Sequence, residues 1–241
     1  MPMSDGKDVA YALLIVLNDN KAETQSNFSV TAIQKYQLSD DDKLIALDEH
    51  NRLRDSLEGE DRHGEEFQGF PVGMNKLEWD EDLEQTAQEV ADQCKKKHLS
   101  YRGPLFEQLE LEMGSIGENL AYGSQYKPAR DVGDYVRSWY SEIKHFDWNT
   151  LECTPSFKCL HLTQMLWGES EYLGCAQKKC TSTWKSGKTK VWTNFVCHYS
   201  PAGNWWGELP FGVNPARDPI AMCPNEGNQI DNVYSNLCTG A

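Results

Sequence analysis

Two histidines and two glutamates, His98, Glu118, Glu142 and His161, each stand beside apolar or cysteine-bearing sequence. Imidazole nitrogens and carboxylate oxygens are the donors of a zinc site, and they are equally the makings of a salt-linked hydrogen-bond cluster. Spacing does not choose between the two, because the four residues lie in four separate segments. In one cleft, the same groups would also serve general-base chemistry, or water activation on a metal. A serine mechanism needs a hydroxyl beside a histidine, and the nearest is Ser100, two residues past His98. Neither G-x-S-x-G nor H-E-x-x-H occurs.

These residues need elements to hold them. A helix is predicted over 82–97, capped by Asp80 or Asp82, with Leu83, Ala87, Val90, Ala91 and Cys94 on one face. His98 lies one turn past Cys94 and is expected to share that face. Glu142 falls in a helix predicted over 128–146, whose apolar stripe is Val132, Tyr135, Val136, Trp139, Ile143 and Phe146. A charge so close to that stripe requires a partner. His161 opens the run HLTQMLW, read as a helical turn over 160–167. Strands are predicted at 172–176 and 191–198, with a hairpin turn around Ser186-Gly187, and a short strand or entry segment at 74–79. An earlier helix starts at Ser39, three residues before Asp42, at capping-box spacing. It carries HNRLR at 50–54, where Asn51, Arg52 and Arg54 are expected to anchor backbone carbonyls or carboxylates.

Composition narrows the setting. The chain has 241 residues and a formal charge of −14, which disfavours nucleic acid as a partner. Against that charge, Lys178, Lys179, Lys185, Lys188 and Lys190 read as a solvated hairpin edge, or as a face for anionic lipid or glycan. No apolar run reaches the roughly 18 residues of a membrane span. Eight cysteines without a C-x-x-C pair predict four disulfides in an oxidising compartment, hence a secreted, extracellular protein. Their spacing does not select the pairing. The run VAYALLIVL at 9–17 has the length of a signal h-region, but its upstream flank is not positive and no A-x-A site follows. A buried strand or helix is the competing reading. In an extracellular protein Asn27, in Asn27-Phe28-Ser29, would be a glycan acceptor.

Four motifs carry a family resemblance. HNRLR at 50–54, GENL at 117–120, HLTQMLW at 161–167 and VCHYSPAGNWWGELPF at 196–211 resemble the signatures of the CAP superfamily of cysteine-rich secretory, antigen 5 and pathogenesis-related proteins. QCKKKH at 93–98 and WYSEI at 139–143 match the segments that bear the rest of the family's tetrad. The resemblance implies an α+β fold, a three-layer α–β–α sandwich over 39–215. An N-terminal segment at 1–38 precedes it and a hinge-like tail at 216–241 follows. The resemblance also implies that His98, Glu118, Glu142 and His161 form one cavity, able to hold Zn²⁺ weakly. It pairs Cys94 with Cys180 and Cys175 with Cys197, leaving Cys153–Cys159 and Cys223–Cys238. Ile116 and Ser200 replace a further bridge of the family.

The function expected is that of a secreted, venom-allergen-like binding protein without enzymatic activity. Its ligand would be a small hydrophobic molecule, a sterol or fatty acid, in a slot between the helices at 39–56 and 128–146. The alternatives are a metal-assisted or Ser/His peptidase, and a host-interaction module for an unidentified protein receptor.

Overall fold

The structure, a computed structural model, describes residues 38–57, 70–98, 116–124, 131–147, 152–183, 186–214, 218, 222–225 and 227–240. The 9–17 run, Asn27, Ser100 and Lys185 lie outside the described residues.

Helix α1 (Asp40–Asp55) starts where the sequence places it. The Ser39 hydroxyl accepts from the Asp42 amide at 3.1 Å, and the Asp42 carboxylate accepts from the Ser39 amide at 3.3 Å. This reciprocal bonding satisfies two of the orphan donors of a helix start. Three aspartates in the first turn and Arg52 and Arg54 in the last suit the helix dipole. Helix α2 (Glu81–Asp92) is capped by Asp80, whose carboxylate accepts from the Leu83 amide at 2.7 Å. It ends earlier than predicted. Cys94, bonded to Cys180, sits at φ 51°, a left-handed conformation that a helix does not continue through. His98 is therefore beyond the helix, not one turn along its inward face. Helix α3 (Val132–Tyr140), capped by Asp131, is also shorter than the predicted span. It tightens into a 3₁₀ turn at Ser141–His145, and α4 (Leu160–Met165) is a short helix.

The central sheet contains β2 (Glu78–Trp79), β3 (Gly117–Ser124), β6 (Tyr172–Thr183) and β7 (Thr189–Ser200), in the order β2-β6-β7-β3. Strands β3, β7 and β6 run antiparallel, while β2 is parallel to β6. The hairpin strands are longer than the sequence indicated, and Gly187 takes φ +78° in the turn. Two-residue periodicity divides the sheet faces. Ala176, Val196 and Leu120 pack on Ala87, Val90 and Ala91 of α2. Leu173, Phe195, Cys197 and Tyr199 face the other way, into the larger core with Trp139, Leu162 and Met165. At about 1.5–3 kcal/mol for each large apolar side chain buried, two such cores hold an α–β–α sandwich. Gly174 permits the tight contact with α2, because a Cβ there would strike the Leu83–Glu84 backbone.

Peripheral pairs complete the strands of the described residues: β1 (Phe70–Val72) with β8 (Gly212–Asn214), β4 (Phe146–Asp147) with β5 (Glu152–Cys153), and β9 (Gln229–Ile230) with β10 (Cys238–Thr239). Disulfides join Cys94–Cys180, Cys153–Cys159, Cys175–Cys197 and Cys223–Cys238, the pairs implied by the resemblance. The tail is sewn to the core. Leu237 is buried, Tyr234 donates to Asp48, and the Asn236 amide donates to Asp55 at 2.8 Å. The HNRLR arginines behave as expected. Arg54 is fully buried, and its guanidinium donates to carbonyls of Asn75, Met165, Trp167 and Gly168 at 2.6–3.3 Å. Arg52 bonds the Glu49 carboxylate, and Asn51 both donates to and accepts from the Leu77 backbone.

Candidate functional site

Strand β3 is an edge strand, so its side chains reach both outer layers of the sandwich at one border. Glu118 lies opposite His198 in the sheet register and faces the α2 layer with it. One carboxylate oxygen accepts from His198 Nε2 at 3.1 Å, and the other accepts from His98 Nδ1 at 2.7 Å. The Thr86 hydroxyl of α2 reaches His198 Nδ1 at 2.8 Å. The same hydroxyl donates its one proton to the Leu83 carbonyl at 2.9 Å. Burial on its own would raise the Glu118 pKa. The bonds and charge of His198 and His98 outweigh it and pull the carboxyl down to about 2.

The second pair comes from the other layer. Glu142, in the 3₁₀ turn, accepts from His161 Nδ1 at 2.6 Å through one oxygen. Its other oxygen accepts from the backbone amides of His161 and Leu162, each at 3.1 Å. Helix α4 has no side-chain cap of its own, so Glu142 supplies the acceptor for its orphan amides. This is the partner that its place beside an apolar stripe demanded. Trp139 stacks near-parallel to the His161 ring, with centroids 6.1 Å apart. Asn119, on the opposite face of β3 from Glu118, donates to the His161 carbonyl at 2.9 Å and to Tyr199 at 3.2 Å. Tyr199 in turn bonds the buried His50, so the site rests on a polar relay through the core.

Both pairs open on one cavity of about 390 Å³, walled by His98, Glu142, His161, Leu120, Tyr122 and Trp139. Glu118 stands behind His98 and is not in the wall. Lys96 lines the cavity and lies over the Trp192 ring at 4.5 Å. Each imidazole spends Nδ1 on a carboxylate, and no described residue engages Nε2. Carboxylate–imidazole bonding of this kind fixes the tautomer that leaves Nε2 as a metal ligand. The donor chemistry therefore fits a divalent cation held by Nε2 of His98 and of His161. Among the described residues, no group of three or more His, Cys, Asp and Glu side chains is arranged to hold a metal. Two imidazoles plus solvent make a weak site.

Sequence reasoning missed His198, Thr86, Asn119 and Tyr199. Alternation along the predicted strand at 191–198 was the available signal, since it puts His198 on one face with Val196 and Asn194. No hydroxyl is hydrogen-bonded to His98 or His161 among the described residues.

Residues 47–199 match the family model described as CAP, the cysteine-rich secretory protein family. The human protein Cysteine-rich secretory protein LCCL domain-containing 1 is 33% identical over 204 residues, covering 79% of this chain and 35% of its own length. This chain thus spans about a third of that relative. The mouse protein Peptidase inhibitor R3HDML is 34% identical over 220 residues, covering 85% of this chain and 74% of its own length. Among solved structures, BmVAL-1 superposes with a TM-score of 0.56 at 25% identity, over 83% of this chain and 95% of that one.

Proposed function

This chain belongs to the cysteine-rich secretory protein family, and on that premise we propose that it is a secreted binding protein whose cavity at the edge of the sheet is the recognition site. Four disulfides and the family's secretory character support an extracellular location. Its relatives are named as secretory proteins and peptidase inhibitors, in keeping with a chain that is not an enzyme.

One observation carries the reading. Two imidazoles, each fixed by a carboxylate, share a cavity with Leu120, Tyr122 and Trp139. Its volume lies within the range of small-molecule sites, and its walls combine apolar surface with a few directed polar groups. A ligand with an apolar body and one polar end, of the sterol or fatty-acid class, suits those walls. A divalent metal, when bound, would supply a Lewis-acidic point for that polar end, held by His98 and His161.

Solvent extraction and native mass spectrometry of the secreted protein test the ligand. A copurifying neutral or acidic lipid is the expected result, and its absence after loading with such lipids refutes it. Calorimetric zinc titration of wild type against His98→Ala/His161→Ala tests the metal, with equal affinity in both refuting it.

A second reading draws on the names of relatives. The mouse relative is called a peptidase inhibitor, and this chain covers 74% of it. On this reading the chain engages a peptidase as a protein partner. Inhibition assays against a panel of peptidases spanning the serine, cysteine, aspartic and metal-dependent classes test it, and no loss of activity at micromolar protein ends it.

A further inference from the structure

A second surface, apart from the cavity, remains unaccounted for. The turn from Ala202 to Pro210 carries Trp205, Trp206 and Leu209, while the neighbouring disulfide loop and the start of α4 carry Phe157 and Leu160. Trp206 is 100% exposed, Leu160 65%, and Trp205 and Phe157 50% each. Single exposed apolar residues are ordinary, but five large ones on adjacent loops are not.

The exposure is built in. Cys153–Cys159 closes the loop that presents Phe157. Asn204 bonds the Thr163 hydroxyl at 2.6 Å and donates to the Leu160 carbonyl at 2.9 Å, tying the tryptophan turn to α4. Within the turn, Trp205 Nε1 donates to the Ala202 carbonyl, and the Glu208 amide donates to the Trp205 carbonyl. Gly207 takes the left-handed φ of +81° that the bend requires. Between the loops lies a trough of about 480 Å³ with Trp167 and Pro210 in its wall.

We propose that this paired-loop tip is an interfacial anchor that docks the protein on a zwitterionic lipid surface. Two observations select that occupant. Trp206 projects wholly clear of the fold, so a ligand confined to the trough would leave it bare. An extended surface covers it, and indole rings favour the headgroup boundary of a bilayer. Charge narrows the class of lipid. The trough wall carries one lysine and one glutamate, Lys158 and Glu208, so the patch is neutral. The chain as a whole is at −14, which sets it against an anionic leaflet.

Sedimentation with phosphatidylcholine vesicles tests the proposal, using the full chain and reading bound fraction and indole emission. Wild type cosediments, its emission shifts to the blue, and adding phosphatidylserine to the vesicles weakens binding. Trp206→Ser and Leu160→Ser each lower the partition coefficient about tenfold, the order expected for withdrawing one large apolar side chain from the interface. Both sites are exposed, so these variants fold, and Val233→Ser, an exposed apolar residue elsewhere, binds as wild type does. Failure of wild type to bind phosphatidylcholine overturns the proposal, as does unchanged binding by Trp206→Ser. Concentration-dependent dimerisation that Trp206→Ser abolishes, without vesicle binding, would assign the patch to a second copy instead and also overturns it.

Discussion

Replacing Glu142 separates the two tasks assigned to it. In Glu142→Ala, the amides of His161 and Leu162 lose their acceptor and His161 Nδ1 loses its partner. Removing a helix cap costs about 1 kcal/mol, and a buried donor left unpaired costs about 1–3 kcal/mol, so the variant is destabilised by roughly 2–4 kcal/mol. Glu142→Gln behaves differently. Its carbonyl oxygen still accepts from both amides, so stability falls by only about 1 kcal/mol, the difference between a charged and a neutral acceptor. Its NH₂ cannot accept from Nδ1–H, so His161 moves its proton to Nε2 and presents a donor where a ligand is needed. Loss of such an outer partner weakens metal binding by about 10–100-fold. Urea denaturation gives the first quantity, zinc calorimetry the second, and imidazole ¹⁵N shifts report the tautomer. Equal stability of Glu142→Ala and wild type would refute the capping role. A Glu142→Gln protein with wild-type zinc affinity and an unchanged His161 tautomer would refute the pairing logic.

Acid should destabilise the fold in a defined window. Burial holds His50 down, from 6.5 to about 4, against the opposing bond to the Ala46 carbonyl. The unfolded chain therefore takes the proton first, so stability is complete above pH 6.5 and falls by about 3 kcal/mol as pH drops to 4. Glu118, with its pKa depressed to about 2, keeps its contribution above 4.5 and loses it only below that. Urea midpoints that stay flat from pH 7 to 4 would contradict a neutral buried His50. Arg54→Met leaves the carbonyls of Asn75, Met165 and Trp167 without their donor and costs about 4 kcal/mol or more in urea unfolding. The disulfides differ in weight. Cys94–Cys180, with 86 residues of separation, contributes about 4–5 kcal/mol by loop entropy, against about 2 kcal/mol for Cys153–Cys159, separated by 6. Paired Cys→Ser variants measured by denaturation check the order, and a larger loss at Cys153–Cys159 would reverse it.

Much of the scaffold is legible in the residues themselves. Ser39 and Asp42 mark the start of α1, and the apolar stripe of α3 marks its buried face. Helix lengths are less legible, because what stops them is tertiary. The bond from Cys94 to β6 ends α2, and the demand for Glu142 at α4 accompanies the tightening of α3 into a 3₁₀ turn. The cavity's outer groups can be named from the motif resemblance, which no spacing rule supplies, since His98 and His161 belong to different layers. The supporting groups were hidden for another reason. His198 and Thr86 meet only across a sheet–helix interface, and Asn119 acts from the reverse side of the strand that carries Glu118. The neutral tip at Trp205-Trp206 sits inside a recognised signature, where the aromatic residues read as part of the motif and not as exposed surface.

His98 and His161 come from opposite layers of the sandwich, line one cavity and each bond a carboxylate through Nδ1. A zinc titration followed by ¹⁵N imidazole resonances measures this residue by residue. Nε2 of His98 and Nε2 of His161 are expected to shift together, at one common zinc concentration, while His50 and His198 stay unmoved. If only one of the two responds, or each responds at its own concentration, the two imidazoles do not hold one metal ion.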